Sequence, residues 1–146
     1  MDPSPSITCW NVRGLNNPTK KKAVREFISS VKCNMVCLQE TKLDVVDQFT
    51  IMQCIGPSYD GFAYLPATDT RGGVVLAWDS TVVQVDHVVL DTHALTGQVH
   101  NLDGSLWWIT VVYAPQEDDQ KLEFLQELPH QSTACPGPWM LLGDFT

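Results

Sequence analysis

The sequence is poor in basic residues and contains no long apolar segment. Only 9 of its 146 residues are Lys or Arg, against 17 Asp or Glu, and the formal net charge is −8. Because phosphate backbones bind basic surfaces, this balance makes nucleic acid an unfavoured partner. No apolar run approaches the roughly 20 residues of a membrane-spanning helix, so we expect no membrane span.

The sequence also lacks the features of a secreted protein. Residues 1–6 are polar and contain no basic residue, unlike the start of a signal peptide, so we expect a cytoplasmic or nuclear location. The five cysteines are odd in number, which favours reduced thiols over a disulfide framework. Cys33 and Cys37 are four apart without a second pair or a nearby histidine, so the spacing does not indicate a zinc site.

What the sequence does contain is a regular succession of strand and helix patterns. Apolar residues make up 44% of the chain, enough for a sizeable core. No linker or repeat interrupts the patterns, so we expect one α/β domain over residues 1–146. The predicted strands are 6–12, 35–38, 61–65, 73–78, 81–90, 95–102, 106–113 and 139–142, and the predicted helices are 19–31 (with Thr19 as N-cap), 44–52 and 118–128.

Four polar residues stand at the ends of predicted strands. They are Asn11, Glu40, Tyr113 and Asp144. Polar groups just beyond strand ends of α/β sheets converge on a cleft, although single polar residues also commonly cap strands. Glu40 offers the hard oxygen ligand that Mg²⁺ prefers, and Asp144 could orient or deprotonate a water beside the ion.

Five short motifs in a fixed order carry a family resemblance. They are CWNVRGL at 9–15, CLQETK at 37–42, RGGV at 71–74, VYAP at 112–115 and LGDF at 142–145. Together they resemble the endonuclease/exonuclease/phosphatase superfamily, and in particular the endonuclease domain of plant LINE-type retrotransposons. The resemblance implies half of an α/β sandwich, with one mostly antiparallel mixed sheet flanked by helices.

The same resemblance implies roles for the four polar residues. Asn11 matches an asparagine near the phosphate and metal, and Glu40 matches the glutamate that binds Mg²⁺. Tyr113 matches a tyrosine that contacts the scissile phosphate, and Asp144 matches the aspartate that positions the attacking water. With Glu40 as its metal ligand, the chain is expected to bind Mg²⁺ weakly and to use no other cofactor.

The sequence departs from the family pattern in two ways. Thr146 stands where the last motif has an asparagine, and a hydroxyl lacks the two donors of a carboxamide. The family's later aspartates and its Ser-Asp-His motif are absent, so we expect a truncated and catalytically incomplete domain. None of the four histidines has the Ser-Asp-His context; they are His87, His93, His100 and His130.

A single sheet covered on one side only would expose an apolar face. Candidate residues on that face are Val75, Ala77, Trp108 and Val112. Soluble monomers rarely expose such a patch, so we expect self-association or another protein to cover it.

Three hypotheses follow for the function. The favoured one is a retrotransposon-derived, non-catalytic protein that acts through protein contacts. The alternative is a Mg²⁺-dependent phosphodiesterase or DNA endonuclease with residual or complemented activity. The third, least favoured because of the acidic charge, is a nucleic-acid binder that uses the basic helix from Lys20 to Lys32.

Overall fold

The computed structural model describes residues 6–68, 72–91, 93–113 and 139–144. These ranges contain two helices, α1 (Pro18–Val31) and α2 (Gln48–Cys54). They also contain eight strands: β1 (Ile7–Asn11), β2 (Met35–Gln39), β3 (Gly61–Leu65), β4 (Val74–Trp78), β5 (Val83–Leu90), β6 (Ala94–Asn101), β7 (Leu106–Tyr113) and β8 (Trp139–Asp144).

The eight strands form two four-stranded sheets. The first sheet has the order β1-β2-β4-β3 and the second has the order β5-β6-β7-β8. β1 pairs with β2 and β7 pairs with β8 in parallel, and the other neighbours are antiparallel. The predicted α/β class with mostly antiparallel mixed sheets and flanking helices is confirmed, but the number of sheets is corrected from one to two.

The N-cap of helix α1 lies two residues earlier than the sequence pattern predicted. The N-cap is Asn17, whose side-chain oxygen accepts a hydrogen bond from the backbone N–H of Thr19 at 2.8 Å. Pro18 occupies the first helical position, where its missing N–H costs nothing. Thr19 is therefore not the N-cap, because Asn17 already supplies the acceptor. Lys32 ends the helix in a left-handed conformation.

Residues on β2 and β4 alternate between two hydrophobic clusters. Val36 and Val75 pack in a cluster with residues of α1 and α2 on the outer face of the first sheet. Cys37 and Leu76 pack in a second cluster with apolar residues of β5, β6 and β7. The two sheets therefore cover each other, and both central strands are buried on both faces.

This packing corrects the expectation of an open apolar face. Val75, Ala77 and Val112 are each at most 2% exposed, and Trp108 is half-buried. Val75 and Ala77 are covered by α1 and α2 on the outer face of the first sheet, and the alternating residues Val74 and Leu76 are covered by the second sheet, which the chain supplies itself. Association with a second copy or with another protein stays a prediction, but it no longer follows from this face.

Some of the remaining sequence predictions concern described residues, and others concern residues outside the described ranges. The Asp103–Gly104 hairpin joins β6 to β7 with Gly104 at φ 87°, and the cysteines of the described residues are free. Among the described residues, no helix is long and apolar enough to cross a membrane. The predicted helix 118–128, together with Cys135, His130 and Thr146, lies outside the described residues.

Burial between the sheets predicts a large difference between two leucine truncations. Leu76 is fully buried on β4, whereas Leu102, in the β6–β7 turn, is 73% exposed. Leu76→Ala should lower the free energy of unfolding by about 2–5 kcal/mol through lost contacts and a residual cavity. Leu102→Ala should change it by less than about 0.5 kcal/mol. Urea unfolding followed by circular dichroism measures both, and equal effects would contradict the two-sheet core.

Candidate active site

The predicted site residues stand at the ends of two parallel strand pairs. In the first sheet, Asn11 at the end of β1 lies opposite Gln39 at the end of β2. In the second sheet, the backbone of Tyr113 at the end of β7 lies opposite that of Asp144 at the end of β8. Each pair therefore brings two carboxyl ends together within its own sheet.

The chain path places both pairs at the same end of the sandwich. β4 finishes beside the start of β2, since Trp78 lies opposite Met35. Residues 79–82 form a tight turn, so β5 begins at that end as well. Because β5, β6 and β7 are successively antiparallel, β7 begins there and finishes at the other end. The carboxyl ends of β1, β2, β7 and β8 consequently share one end of the molecule.

Backbone hydrogen bonds join three loops at this end. We call them the β1 loop (12–15), the β2 loop (40–43) and the β4 loop (72–73). The β2 loop lies between the other two and bonds to both, which fixes its path from two sides. The bonds run from Gly14 N to Glu40 O at 2.7 Å, Leu15 N to Thr41 O at 2.8 Å, Thr41 N to Gly73 O at 3.1 Å and Lys42 N to Gly72 O at 2.8 Å.

Three residues of these loops adopt left-handed backbone conformations although none is glycine. Their φ angles are 55° for Arg13, 53° for Glu40 and 58° for Lys42. Each such residue costs roughly 1–2 kcal/mol relative to the right-handed region. Strain of this kind persists only where the surroundings over-determine the backbone, and it is concentrated at functional sites. The three hydrogen-bonded loops provide that determination.

Glu40 follows directly after the Asn11–Gln39 pair at the carboxyl ends of β1 and β2. Glu40 follows the buried strand β2 directly and is half-buried. The side-chain oxygen of Asn11 accepts a hydrogen bond from the backbone N–H of Arg13 at 3.2 Å, which ties the side chain to the β1 loop. The backbones of these two predicted residues therefore lie at the same strand ends, and the roles of their side chains stay predictions.

Gln39 is a candidate that the family motifs did not assign. It is 4% exposed, and its Nε2 has no hydrogen-bond partner in the part of the chain that the structure describes. It shares a strand face with Met35 and Cys37, which belong to the cluster between the sheets. A buried amide nitrogen without a partner is costly, and a phosphate or water oxygen at the site would satisfy it. Strand alternation, counted from Met35, was the signal that could have indicated this position.

The structure places the other residues considered in the sequence analysis at several different positions. The backbones of Tyr113 and Asp144 are at the shared end, and the roles of their side chains stay predictions. His93 is buried just before β6, and therefore at the same end, whereas His87 and His100 lie on strands of the second sheet at or near its surface. Cys33 and Cys37 belong to the clusters on opposite faces of the first sheet, so they do not form a shared site.

Two cysteines lie in the middle of β1 and β2, two residues before the Asn11–Gln39 pair. Cys9 and Cys37 are opposite each other in the parallel register. A hydrogen bond from the Cys37 thiol lowers the pKa of Cys9, and the same interaction together with burial raises the pKa of Cys37. Cys37 is consequently a neutral, structural thiol at ordinary pH.

The residues of the site suit a hard divalent cation. Glu40 offers carboxylate oxygen, Asn11 offers amide oxygen, and the orphaned Gln39 amide provides a donor for a ligand oxygen. Mg²⁺ is bound through one or two carboxylates plus substrate phosphate and water, which needs no larger protein cage. The donor set therefore fits the predicted ion.

The chain resembles several solved structures in fold. The catalytic domain of Xenopus laevis APE2 has a TM-score of 0.61 and 20% identity, over 95% of this chain and 57% of that chain. Humanized D. rerio TDP2 has a TM-score of 0.70 and 15% identity, over 97% and 61%. The AP endonuclease LMAP from Leishmania major has a TM-score of 0.56 and 24% identity, over 99% and 56%.

These likenesses are similarities of fold, and the chain spans between 56% and 61% of those three structures. No curated protein sequence matches the chain. The sandwich of two mixed sheets is a nuclease- and phosphatase-type α/β fold. The chain belongs to the Endonuclease/Exonuclease/phosphatase family, whose sequence profile matches residues 8–145.

Two glycines provide a matched test of the loop network. Gly73 (φ 95°) and Gly104 (φ 87°) are both left-handed, so an alanine is strained at either. At Gly73 the added Cβ would also collide with the Thr41 hydroxyl, whereas at Gly104 nothing lies within 4 Å. Gly104→Ala should cost about 1–2 kcal/mol of unfolding free energy, and Gly73→Ala about 1–3 kcal/mol more. Urea unfolding measures the difference. Equal losses of unfolding free energy would show that Gly73 is not packed closely against Thr41 of the β2 loop.

Proposed function

We propose that this end of the sandwich is a site for divalent-metal-dependent phosphoester hydrolysis. The observation that supports this most is the strained backbone of Glu40. Its carbonyl accepts a hydrogen bond from Gly14 in the β1 loop, and the next residues, Thr41 and Lys42, donate to the β4 loop. An acidic residue whose backbone is held in a costly conformation at the end of a strand is typical of a pre-organised ligand. The fold of the family supports the same conclusion.

The roles proposed for the residues follow from their chemistry. Glu40 would hold Mg²⁺, which when bound supplies charge neutralisation at the phosphate. Asn11 and Gln39 would donate hydrogen bonds to phosphate oxygens. Tyr113 would contact the scissile phosphate, and Asp144 would orient the attacking water.

The finer proposal for the substrate is a DNA phosphodiester, with the chain derived from a plant LINE-type retrotransposon. Its support is the order of the five sequence motifs and the residues that they contain. The basic residues Lys21, Lys22 and Arg25 line a shallow pocket with Gln53 between α1 and α2, a surface suited to a phosphate backbone. The net charge of −8 argues for weak binding.

A second candidate is a non-catalytic protein that acts through protein contacts. Two observations favour it. Thr146 replaces the motif asparagine, and three large apolar side chains are exposed near α2: Val45 at 66%, Phe49 at 65% and Met52 at 44%. An apolar patch of this kind suits a protein partner or a second copy.

Activity measurements on paired glutamate variants test the proposed hydrolysis. The purified chain should hydrolyse bis(p-nitrophenyl) phosphate, or nick supercoiled plasmid, only with Mg²⁺ or Mn²⁺ present. Glu40→Gln should lower the rate at least about 100-fold, because it removes the metal ligand. Glu26→Gln, an exposed position on α1, should leave the rate unchanged.

Asp144→Asn guards against a contaminating nuclease and should also lose activity. Metal-dependent hydrolysis that persists in both Glu40→Gln and Asp144→Asn would refute the assignment. Absence of hydrolysis in the wild-type chain would leave the non-catalytic candidate as the better account.

Magnesium binding can be measured independently of turnover. Isothermal titration should show weak Mg²⁺ binding to the wild-type chain, because one carboxylate and an amide supply few of the six ligands. Glu40→Gln should abolish the heat signal and Glu26→Gln should preserve it. Tight binding, or binding that survives the loss of Glu40, would place the magnesium elsewhere.

A further inference from the structure

Three metal-ligating side chains meet on the outer surface of the second sheet. Asp86 and His87 are on β5, and His100 is on β6. One oxygen of Asp86, Oδ1, lies 2.7 Å from His87 Nδ1 and 2.8 Å from His100 Nε2. The three ligand atoms all lie within 4.8 Å of one another. The cluster is near the amino end of β7, opposite to the candidate active site.

An irregularity of β5 creates this meeting. Consecutive residues of a regular strand point to opposite faces, so Asp86 and His87 would ordinarily be separated by the sheet. The register of β5 with β6 shifts between Asp86 and Val89, and His87 has φ 50°. Such a bulge re-aims a side chain, and a left-handed histidine is uncommon enough to need a reason. Here the bulge turns His87 to the same side of the sheet as Asp86, so that His87 contacts the Asp86 Oδ1 atom that His100 also contacts.

We propose that Asp86, His87 and His100 form a binding site for a transition-metal ion of the Zn²⁺ class. Two imidazoles and one carboxylate make a mixed nitrogen and oxygen set, which suits zinc, copper or nickel and not magnesium. The side chains are 68%, 50% and 36% exposed for His87, Asp86 and His100, which leaves a fourth position open to water.

The geometry needs only a small adjustment to take the ion. Tetrahedral ligands at bonds of about 2.0–2.1 Å lie roughly 3.3 Å apart. The hydrogen-bonded contacts of 2.7 and 2.8 Å are shorter than this, so each histidine nitrogen would move about half an ångström away from Asp86 Oδ1 as the metal replaces the shared protons. The two histidine nitrogens, which lie within 4.8 Å of each other, would take up the same ligand separation.

The experiment is a titration of the full chain with Zn²⁺, and with Co²⁺ as a spectroscopic probe. The wild-type chain should bind one Zn²⁺ ion that excess Mg²⁺ does not displace. His87→Ala and His100→Ala should each weaken binding at least about tenfold, since even outer-shell changes cost that much. Gln84→Ala, which removes an exposed side chain opposite His100 in the register, is the matched control and should bind normally.

Two further measurements separate this site from others on the chain. Glu40→Gln should bind Zn²⁺ like the wild type, so loss of the proposed hydrolysis and loss of this site are distinguishable. The Co²⁺ spectrum should lack a thiolate charge-transfer band. Wild-type affinity in both histidine variants, a thiolate band, or no Zn²⁺ binding by the wild type would each overturn the proposal, provided that circular dichroism shows the variants to be folded.

Discussion

The central strands β2 and β4 must be kept from water on both faces, and much of the structure depends on this constraint. Each strand is a nearly continuous apolar run, so neither face can be left to solvent without losing roughly 1.5–3 kcal/mol per large side chain. Helices α1 and α2 cover the outer face, and the second sheet covers the inner one. The sandwich that results brings the carboxyl ends of two parallel strand pairs to one end of the molecule.

The loops of the candidate active site contain strained backbone that the two-sheet core supports. Three non-glycine residues in left-handed conformations, Arg13, Glu40 and Lys42, cost several kcal/mol together. The hydrogen bonds between the β1, β2 and β4 loops hold them, and the burial of β2 and β4 anchors those loops. Stability from the core thus holds the strained backbones of these loops in one arrangement, as the proposed site would require.

The two proposed metal sites differ in the chemistry of their ligands and in the backbone that holds them. The Glu40 site offers oxygen donors at strand ends, where a substrate can approach. The cluster of Asp86, His87 and His100 offers two nitrogen donors on an edge strand, held by a bulge. Edge strands commonly carry bulges and charged side chains that discourage pairing with other chains. A bound metal there would tie β5 to β6 and stiffen the exposed edge.

Much of the local structure could be predicted from the sequence because its causes are local. Strand β3 lies at the predicted residues 61–65, and the Asp103–Gly104 turn is where its chemistry indicated, since alternation and turn propensity act over a few residues. The positions of Asn11 and Glu40 at strand ends followed from the same patterns. The number of sheets did not, because alternation shows which faces are buried and not which element covers them. Only the tertiary structure decided that the second sheet covers the first, that Glu40 is left-handed, and that Asp86 meets His100, since each depends on contacts between residues far apart in the chain.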